Sequence, residues 1–326
     1  MKATAVAGAN IALIKYWGNR DEALRLPMNS SLSITLDTLL STSTVMFDGD
    51  LEEDEISIDG TPAEAAVRSR VVEHLDRLRR WAGSEERARV ASYNNFPRGA
   101  GLAASASGFA ALTAAATRAL GLSPDERELS SWARTGSGSA ARSILGGYVE
   151  WRAADRHPDS YAEQIAPPEH WELLDCIAIV STVPKSVSSA EGHRLAPTSP
   201  LYRARLAQVE AALPQMRQAI LERDFQRLGE LAEAEALSLH AIMWTSRPSL
   251  MYWMPETVRV LAAVRERRRE GLSAYFTLDA GPNVHVLTTP EHGEQVSRRL
   301  AQVEGVQQVK VARPGPGVHL VEQHLF

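Results

Sequence analysis

A glycine- and serine-rich segment, residues 94–108, constrains the fold of this chain more than any other part of its sequence. It contains no acidic side chain, and an alanine-rich run from Phe109 to Leu120 follows it directly. We predict that this run is a helix ended by Gly121. Small residues let backbone N–H groups approach an anion closely, and a helix N-terminus adds partial positive charge. The segment therefore predicts a phosphate-binding loop, although a flexible linker before a buried helix has the same composition.

The composition indicates a globular protein without an affinity for nucleic acid or membranes. The 326 residues are enough for roughly two domains. The net charge is −5, from 35 basic and 40 acidic residues, so no overall field attracts nucleic acid or a membrane surface. The single cysteine, Cys176, excludes an internal disulfide and fits a reducing compartment. No apolar run approaches the ~18 residues of a membrane span. Lys15 interrupts the early apolar segment, so we expect no signal peptide. We therefore expect a cytoplasmic enzyme.

The periodicity of apolar residues predicts an α+β fold with a soft domain boundary near residue 180, giving units 1–180 and 181–326. Helical spacing predicts helices over residues 63–82, 201–241 and 256–269, and a further helix capped by Ser123 with Pro124 at its first position. Strands that group together, rather than alternating strictly with helices, are typical of α+β proteins. Strands are predicted at residues 2–16, 31–39, 41–47, 176–180, 275–278, 284–287 and 306–311, the last as a central strand.

Three further segments concentrate polar residues among small ones. Lys15 ends an apolar strand, where an ammonium is costly to bury unless an anion meets it; a lysine snorkelling at a strand edge is the alternative. Residues 136–143 present two serine hydroxyls and Arg142, whose planar fork suits a carboxylate or phosphate, although a helix cap with a surface arginine fits equally well. Asp279 stands between a strand and a Gly-Pro turn, placed either as a general base in a cleft or as a turn former.

Taken together, the chain resembles the ATP-dependent mevalonate-diphosphate decarboxylase family of the GHMP kinase superfamily. The resemblance implies the two-lobed GHMP kinase fold, with a ribosomal-protein-S5-like N-terminal lobe, a ferredoxin-like C-terminal lobe, and ATP and Mg²⁺ between them. It implies phosphorylation of the C3 hydroxyl of a mevalonate 5-phosphoryl compound, then loss of phosphate and CO₂. A homodimer is common in this family. The matching blocks are residues 10–18, 27–31, 94–112, 137–151, 187–192, 275–287 and 313–317.

The resemblance also implies roles for individual residues. Asp279 matches the catalytic aspartate that handles the C3 hydroxyl proton, Arg142 the arginine that grips the C1 carboxylate, and Lys15 the lysine near the reacting phosphoryl group. The other substrate-binding positions are Tyr16, Asn19, Ser137, Ser139, Ser188 and Ser189. The ATP-phosphate segment supplies Asn95, Pro97, Gly99, Gly101, Leu102, Ala103, Ala104, Ser105 and Ser107. No metal-ligand cluster is visible in the sequence, so we expect Mg²⁺ to arrive with the nucleotide phosphates.

The chain departs from the family pattern where the 5-phosphoryl group is expected. The family usually reads Lys-Tyr-Trp-Gly-Lys, and here the second lysine is Asn19; bacterial relatives often have arginine where this chain has Ala190. Each lost charge-assisted hydrogen bond costs roughly 1.5–3 kcal/mol of diphosphate binding, which a monophosphate largely avoids. We therefore predict that mevalonate 5-phosphate is the substrate and isopentenyl phosphate the product. The diphosphate is the alternative if Arg20 or Arg194 supplies the missing charge.

Smaller departures and other functions are also consistent with the sequence. The family's double serine in the phosphate loop is Ala104-Ser105, and a Gly-Met pair is Gly192-His193. His240 matches a family position, although a packed structural histidine is the simpler interpretation. A C3 kinase without decarboxylation, or a non-catalytic ligand sensor, would share the fold. The presence of Arg142 and Asp279 argues against the kinase, and the presence of Lys15 as well as these two residues argues against the sensor.

Overall fold

A computed structural model describes residues 1–97 and 101–326 of the chain. Sheets and helices form two layered lobes, so the predicted α+β class is confirmed. The strands are β1 (Lys2–Ile14), β2 (Asn19–Asp21), β3 (Leu26–Pro27), β4 (Ser31–Asp48), β5 (Glu55–Ile58), β6 (Thr61–Pro62), β7 (Arg87–Asn94), β8 (Tyr148–Trp151), β9 (Ala162–Ala166), β10 (Leu174–Ile179), β11 (Ala274–Thr277), β12 (Val284–Thr288), β13 (Gln308–Ala312) and β14 (His319–Val321). The helices are α1 (Ala65–Ala82), α2 (Ala104–Ala119), α3 (Glu126–Gly136), α4 (Ala140–Ser143), α5 (Ser189–Leu195), α6 (Tyr202–Glu222), α7 (Phe225–Thr245), α8 (Pro255–Arg269) and α9 (Pro290–Ala301).

Strand β4 organises the sheet of the first lobe. It pairs antiparallel with β1 from one end to the other, and on its opposite edge with β8 at its start and β7 at its end. Residues 31–39 and 41–47, predicted as separate strands, are therefore one strand, because no turn-forming residue separates them. Bulges between Gly8 and Asn10 and between Ala12 and Ile14 shift the register of β1 just before Lys15.

The sheet of the second lobe is antiparallel, in the order β11-β12-β10-β13. Strand β10 pairs with β12 and β13, so the chain enters the second sheet at Leu174. The strand predicted to be central, residues 306–311, is β13 and forms an edge of this sheet among the described strands. Beyond it, β14 pairs with β1, so the C-terminal segment returns to the first lobe.

Helix α2 begins earlier than predicted. It starts at Ala104 rather than Phe109, because the small residues before Phe109 continue the helical spacing, and Ser105 and Ser107 lie in its first turns. Gly121 has a φ of 77°, a left-handed conformation that suits glycine and ends the helix where predicted.

Helix α3 is capped by Asp125 and not by the predicted Ser123. The Asp125 carboxylate accepts a hydrogen bond from Glu128 N at 2.8 Å, and the Glu128 carboxylate accepts one from Asp125 N at 3.3 Å. This reciprocal capping box satisfies two backbone N–H groups, whereas a single serine hydroxyl could satisfy only one of them. It therefore determines where the helix begins.

Buried apolar side chains fix the two lobes against each other. One cluster packs α1, α2 and α3 on the first sheet, and another packs α8 and α9 on the second sheet. A third cluster joins the lobes, with side chains from β1, β4, α6, α7 and β10. This shared core holds the ends of β1 and β11 close together. Among the described helices, none combines the length and apolar character that a membrane crossing requires.

Candidate active site

An ion pair between the two lobes lies at the centre of the candidate site. Lys15 follows β1 in the first lobe, Asp279 follows β11 in the second, and the distance from Nζ to Oδ1 is 2.9 Å. The Lys15 side chain is 1% exposed and that of Asp279 26% exposed, so the carboxylate reaches the cleft while the ammonium is enclosed. Nζ also donates to Ala12 O at 2.6 Å. Asp279 is thus the anion that meets the buried lysine.

Burial and pairing act in opposite directions on this pair. Burial lowers the pKa of Lys15, and the nearby Asp279 carboxylate only partly opposes that effect. Burial raises the pKa of Asp279, but the Lys15 charge and its hydrogen bond outweigh it, so the pKa lies below the usual range for aspartate. Asp279 is therefore a carboxylate at neutral pH and can accept a hydrogen bond from a substrate hydroxyl.

Charged residues that sequence reasoning missed hold the backbone of Lys15. Glu235 Oε2 accepts from Lys15 N at 3.1 Å. Arg205 donates to Lys15 O at 3.2 Å and pairs with Glu235 at 3.1 Å, and Asn29 donates to the same carbonyl at 2.9 Å. Arg205 and Glu235 are both buried. They lie within α6 and α7, where charged residues are common. Only their place on the apolar face of each helix could have indicated that they are buried.

His240 lies beneath the turn that carries Asp279. Its Nε2 donates to the Asp279 carbonyl at 3.2 Å, because a carbonyl can only accept. Burial, assisted by the Lys15 charge, lowers the pKa of His240 to about 3, so the imidazole is neutral. The ring packs against Trp253, with centroids 4.9 Å apart. This contact fits a structural histidine that fixes the aspartate turn.

Arg142 is a buried cation surrounded by neutral groups. Its side chain donates to Asn10 Oδ1 from Nε and Nη2, at 3.3 and 3.1 Å, to Ser33 Oγ at 2.9 Å, and to Ser31 Oγ. No carboxylate of the described residues lies within ion-pair distance of it. Burial lowers its pKa to about 10, so it remains charged at neutral pH. Since a buried guanidinium without a counter-ion is costly, a ligand carboxylate would stabilise it.

The predicted serines of residues 137–139 bring two helix ends together. Ser137, after α3, donates to Ser105 Oγ in α2 at 3.3 Å. Ser139 is the N-cap residue of α4, the short helix that carries the buried Arg142. Gly138 lies so close to Tyr16 that a Cβ there would be 2.8 Å from the phenol ring. This serine turn therefore packs directly on the predicted substrate tyrosine.

The second pair of predicted serines stands at the start of α5. Ser188 Oγ accepts from Glu191 N at 3.2 Å, which makes it the N-cap of the helix. Ser189 Oγ accepts from Lys185 Nζ at 2.6 Å, and the same ammonium donates to Ala280 O at 2.6 Å. Burial lowers the pKa of Lys185 to about 8. Sequence reasoning missed this lysine, although its place just before the double serine was a usable signal.

Tyr16 and Asn19 form a hydrogen-bonded chain that ends on a carboxylate. Tyr16 Oη donates to Asn19 Oδ1, and Asn19 Nδ2 donates to Glu22 Oε1 at 3.0 Å. Burial raises the pKa of Tyr16 well above its usual range, so the phenol keeps its proton. The predicted 5-phosphoryl end therefore presents an amide beside an acid where the family pattern has a lysine.

His193 fills the space between two aromatic rings at this end. Its ring centroid lies 4.2 Å from that of Tyr16 and 4.4 Å from that of Trp17. Gly18 N donates to His193 Nδ1 at 2.9 Å, which requires that nitrogen to be unprotonated. Burial lowers the pKa of His193 to about 3, so the ring is neutral with its proton on Nε2. It adds a neutral donor to this end of the site.

The two arginines considered as substitutes for the missing cations already have partners. Arg20 pairs with Asp155, and both side chains are well exposed. Arg194 Nε lies 4.0 Å from Glu22 Oε2, also on the surface. The structure therefore does not bring either guanidinium into contact with Tyr16 or Asn19.

The start of α2 and the loop before it meet the aspartate turn. Gly99 lies outside the described residues. A Cβ on Gly101, whose φ is 80°, would be 2.7 Å from Gly281 Cα, so only glycine permits this approach. Ala103 is the N-cap of α2 and is also left-handed, with φ 55°. Because the first N–H groups of a helix lack internal partners, this arrangement can bind phosphate next to Asp279.

Other members of the predicted phosphate segment serve the fold instead. Ser107 Oγ is buried and hydrogen-bonded to Ser41 Oγ at 2.7 Å. The Asn95 amide exchanges two hydrogen bonds of 2.9 Å with the backbone of β4. Leu102 belongs to the core between the lobes, whereas the Ser105 side chain is exposed. The remaining members, Pro97 and Ala104, are half-buried.

Both halves of the chain match known families. Residues 7–162 match the diphosphomevalonate decarboxylase-like N-terminal domain, and residues 176–315 match the mevalonate 5-diphosphate decarboxylase C-terminal domain. The phosphomevalonate decarboxylase of Haloferax volcanii is 36% identical over 92% of both proteins. The diphosphomevalonate decarboxylase of Homo sapiens is 39% identical, over 87% of this chain and 76% of the human protein.

Solved structures show the same architecture. The mevalonate diphosphate decarboxylase from Enterococcus faecalis superposes with a TM-score of 0.93 at 40% identity over 99% of both chains. The structure described as MDDEF in complex with MVAPP, AMPPCP and magnesium gives a TM-score of 0.94 at 40% identity, again over 99% of both chains. The enzyme from Staphylococcus aureus gives 0.93 at 36% identity over 98% of both chains. These similarities confirm the predicted GHMP kinase fold.

Proposed function

Because the chain belongs to the diphosphomevalonate decarboxylase family, we propose that it is an ATP-dependent decarboxylase whose own substrate is mevalonate 5-phosphate. The products are isopentenyl phosphate, ADP, phosphate and CO₂. The family as a whole consists of ATP-dependent carboxy-lyases that act on mevalonate 5-phosphoryl compounds. The relative from Haloferax volcanii carries the monophosphate in its name, and the human relative the diphosphate.

The single observation that carries the choice of substrate is the position of Asn19. Its amide bonds to Tyr16 on one side and to Glu22 on the other, so the place of the usual lysine is taken by a neutral group backed by a carboxylate. Ala190 adds no charge in the neighbouring helix. A second phosphoryl group would carry additional negative charge toward Glu22, whereas a monophosphate carries less. This electrostatic difference favours the monophosphate.

The reacting end supports phosphorylation of the C3 hydroxyl. The Asp279 carboxylate would accept the hydroxyl hydrogen bond and take the proton as the oxygen bonds to the γ-phosphoryl group of ATP. Because its pKa is low, this transfer would be late, when the hydroxyl has become more acidic. Lys15, fixed beside Asp279, would place positive charge near the transferring group, where phosphoryl transfer needs charge neutralisation.

Arg142 would hold the C1 carboxylate during the second half of the reaction. As the phosphate leaves C3 with its bonding electrons, the C1–C2 bond breaks and its electron pair forms the C2=C3 double bond. The departing carboxylate leaves as CO₂. The hydrogen bonds from Arg142 to Asn10 and Ser33 fix the guanidinium in advance, so the substrate carboxylate is oriented without a rearrangement of this side chain.

The described residues also fit a nucleotide. The glycine turn at Gly101 and the start of α2 adjoin the Asp279 turn, and Ser105 offers an exposed hydroxyl there. Within residues 1–97 and 101–326, no group of three or more His, Cys, Asp or Glu side chains is placed to hold a metal ion. We therefore propose that Mg²⁺ is bound chiefly through the ATP phosphates, where it would neutralise their charge. A homodimer and a cytoplasmic location remain predictions.

Steady-state assays with both substrates test this proposal. ADP and CO₂ are measured separately with mevalonate 5-phosphate and with mevalonate 5-diphosphate. We expect equal amounts of ADP and CO₂, and a kcat/KM for the monophosphate at least about tenfold higher, the equivalent of one charge-assisted hydrogen bond. A higher kcat/KM with the diphosphate would contradict the proposal. ADP without CO₂ would instead indicate a C3 kinase.

A further inference from the structure

Three arginine side chains meet at the C-terminal end of α3. Arg25 Nε donates to Thr135 O at 2.9 Å, and Arg77 Nη1 donates to the same carbonyl at 3.1 Å. Arg70 Nη2 donates to Gly136 O at 3.4 Å. The end of a helix offers only about half a negative elementary charge, so these carbonyls leave most of the positive charge uncompensated.

No carboxylate of the described residues pairs directly with these guanidinium groups. Within the part of the chain that the structure describes, Arg70 Nε is buried without a hydrogen-bond partner. Burial lowers the pKa of Arg70 to about 10, and the Arg25 charge lowers it further. Burial and Arg25 lower the pKa of Arg77 in the same way, and the Glu73 carboxylate opposes the effect at both arginines only in part. An anion bound here would relieve the repulsion.

Arg25 is the member of this group that adjoins the 5-phosphoryl end. It lies in the hairpin of β2 and β3, which begins at Asn19. Burial raises the pKa of Tyr16, and among charged neighbours Arg25 opposes that rise most strongly. The Arg25 charge also lowers the pKa of His193. The geometry agrees with this, because Thr135, which accepts from Arg25 Nε, lies three residues before Gly138, where a Cβ would be 2.8 Å from the Tyr16 ring.

The Arg25 guanidinium is fixed but still has donors to offer. Its Nε is held by Thr135, whereas its two Nη groups make no hydrogen bond or ion pair with any described residue. Its backbone is left-handed, with φ 51°, a conformation that costs a non-glycine residue about 1 kcal/mol or more. By contrast, Arg20 and Arg194 each already have a carboxylate partner.

We infer that Arg25 binds the 5-phosphate of the substrate through its Nη groups and replaces the lysine that this chain lacks at position 19. The inference rests on the proposed function, and it names the cation that a mevalonate monophosphate requires. A guanidinium fork binds one phosphoryl group with two hydrogen bonds, which suits a monophosphate. Arg70 and Arg77 are also positively charged, so they would add electrostatic attraction for the phosphate.

Kinetics of the Arg25→Gln and Arg25→Lys variants test the inference. Arg156→Gln is the matched control, because that arginine is 80% exposed and pairs with Asp159 on the surface. We expect Arg25→Gln to raise KM for mevalonate 5-phosphate about tenfold or more while kcat changes less than about threefold. Arg25→Lys should recover part of the loss, and the control should stay within about twofold of wild type.

A binding measurement separates this role from a purely structural one. Mevalonate 5-phosphate without ATP should raise the Tm of the wild type and of Arg156→Gln, and the shift should be much smaller for Arg25→Gln. If Arg25 only caps α3, the substitution lowers Tm while KM and the ligand-induced shift stay unchanged, and the inference is overturned. Should the glutamine variant not fold, Arg25→Ala and Arg25→Lys give the same comparison.

Failure of this inference and failure of the proposed function have different signatures. A wild type that prefers the diphosphate contradicts the proposed substrate, whatever Arg25 does. An unchanged KM for the preferred substrate in a folded Arg25→Gln variant contradicts the role of Arg25, whichever substrate is preferred. The two results come from separate measurements on the same preparations.

Discussion

Lys15 and Asp279 meet across both lobes, whereas Tyr16 and Asn19 bond to one another within a single short stretch of chain. At the first end, a buried Arg205–Glu235 pair holds the lysine backbone, and His240 holds the aspartate turn. At the second end, Tyr16 and Asn19 are half-buried and neutral. The groups proposed to react are thus each held by several buried partners, while Asn19 and Ala190 can change with little structural consequence.

We therefore expect the end with Lys15 and Asp279 to control the reaction, and the end with Tyr16 and Asn19 to control the choice of substrate. Changes at the reacting end should abolish turnover, because each charged group there depends on fixed partners from another element. Changes at the 5-phosphoryl end should alter the ratio of rates for two substrates and leave the reaction itself intact.

The Asp279→Asn variant should lose nearly all activity. The amide cannot take the hydroxyl proton, and it leaves the buried Lys15 ammonium without its anion, so we expect kcat to fall by about 10³-fold or more. ADP release in the presence of either substrate measures the effect. Asp155→Asn, on the surface, is the control. A retained rate within tenfold of wild type would show that Asp279 is not the proton acceptor.

The Glu235→Gln variant should be strongly destabilised. It leaves the Arg205 guanidinium buried without a counter-ion, which costs about 3 kcal/mol or more. Urea unfolding followed by tryptophan fluorescence gives the free energy of unfolding. Glu294→Gln removes one side of an exposed helical pair with Arg298 and should cost no more than about 0.5 kcal/mol. Equal losses in the two variants would mean that the buried pair does not hold the reacting end.

The double variant Asn19→Lys and Ala190→Arg should shift the substrate preference. Two restored cations would favour the diphosphate, and we expect the ratio of kcat/KM for the diphosphate to that for the monophosphate to rise by about tenfold or more. The variant Arg20→Gln should leave this ratio unchanged, because that side chain pairs with Asp155. An unchanged ratio in the double variant would show that these positions do not select the substrate.

The His193→Gln variant should reduce the acid sensitivity of folding. In the wild type, burial lowers the pKa of His193 to about 3, so below its ordinary pKa of about 6.5 the unfolded chain binds a proton that the folded chain does not. The stability contributed by the neutral ring is therefore present above that pH and is lost as the pH falls toward 3. Unfolding free energies at pH 7 and pH 5 should differ less in the variant. An identical difference would mean that the ring is protonated in the folded protein.

The sequence alone was enough to predict candidate residues where an unusual charged side chain lies within a family motif. Lys15, Arg142 and Asp279 were recognisable because a charged residue among small or apolar neighbours needs a reason to be there, and the structure brings Lys15 into contact with Asp279. The helix after the phosphate loop was also predictable, because alanine-rich runs favour helix strongly. Its start was wrong, because small residues fit a loop and a helix equally well.

Contacts between distant segments were beyond a single sequence. Arg205 and Glu235 look like solvated helix residues, and only the packing of α6 against α7 makes them a buried pair. Ser107 and Asn95 matched a phosphate segment, yet their hydrogen bonds go to β4, which lies far away in the chain. Arg25 belongs to no motif of the sequence, and only the fold brings it to the end of α3.

A direct competition between the two substrates tests which of them the enzyme prefers. Equimolar mevalonate 5-phosphate and mevalonate 5-diphosphate are mixed with the wild-type enzyme and ATP, and the two isopentenyl products are quantified by mass spectrometry. The ratio of products equals the ratio of kcat/KM values. We predict at least about ten isopentenyl phosphate molecules for each isopentenyl diphosphate. A predominance of isopentenyl diphosphate would show that mevalonate 5-phosphate is not the preferred substrate.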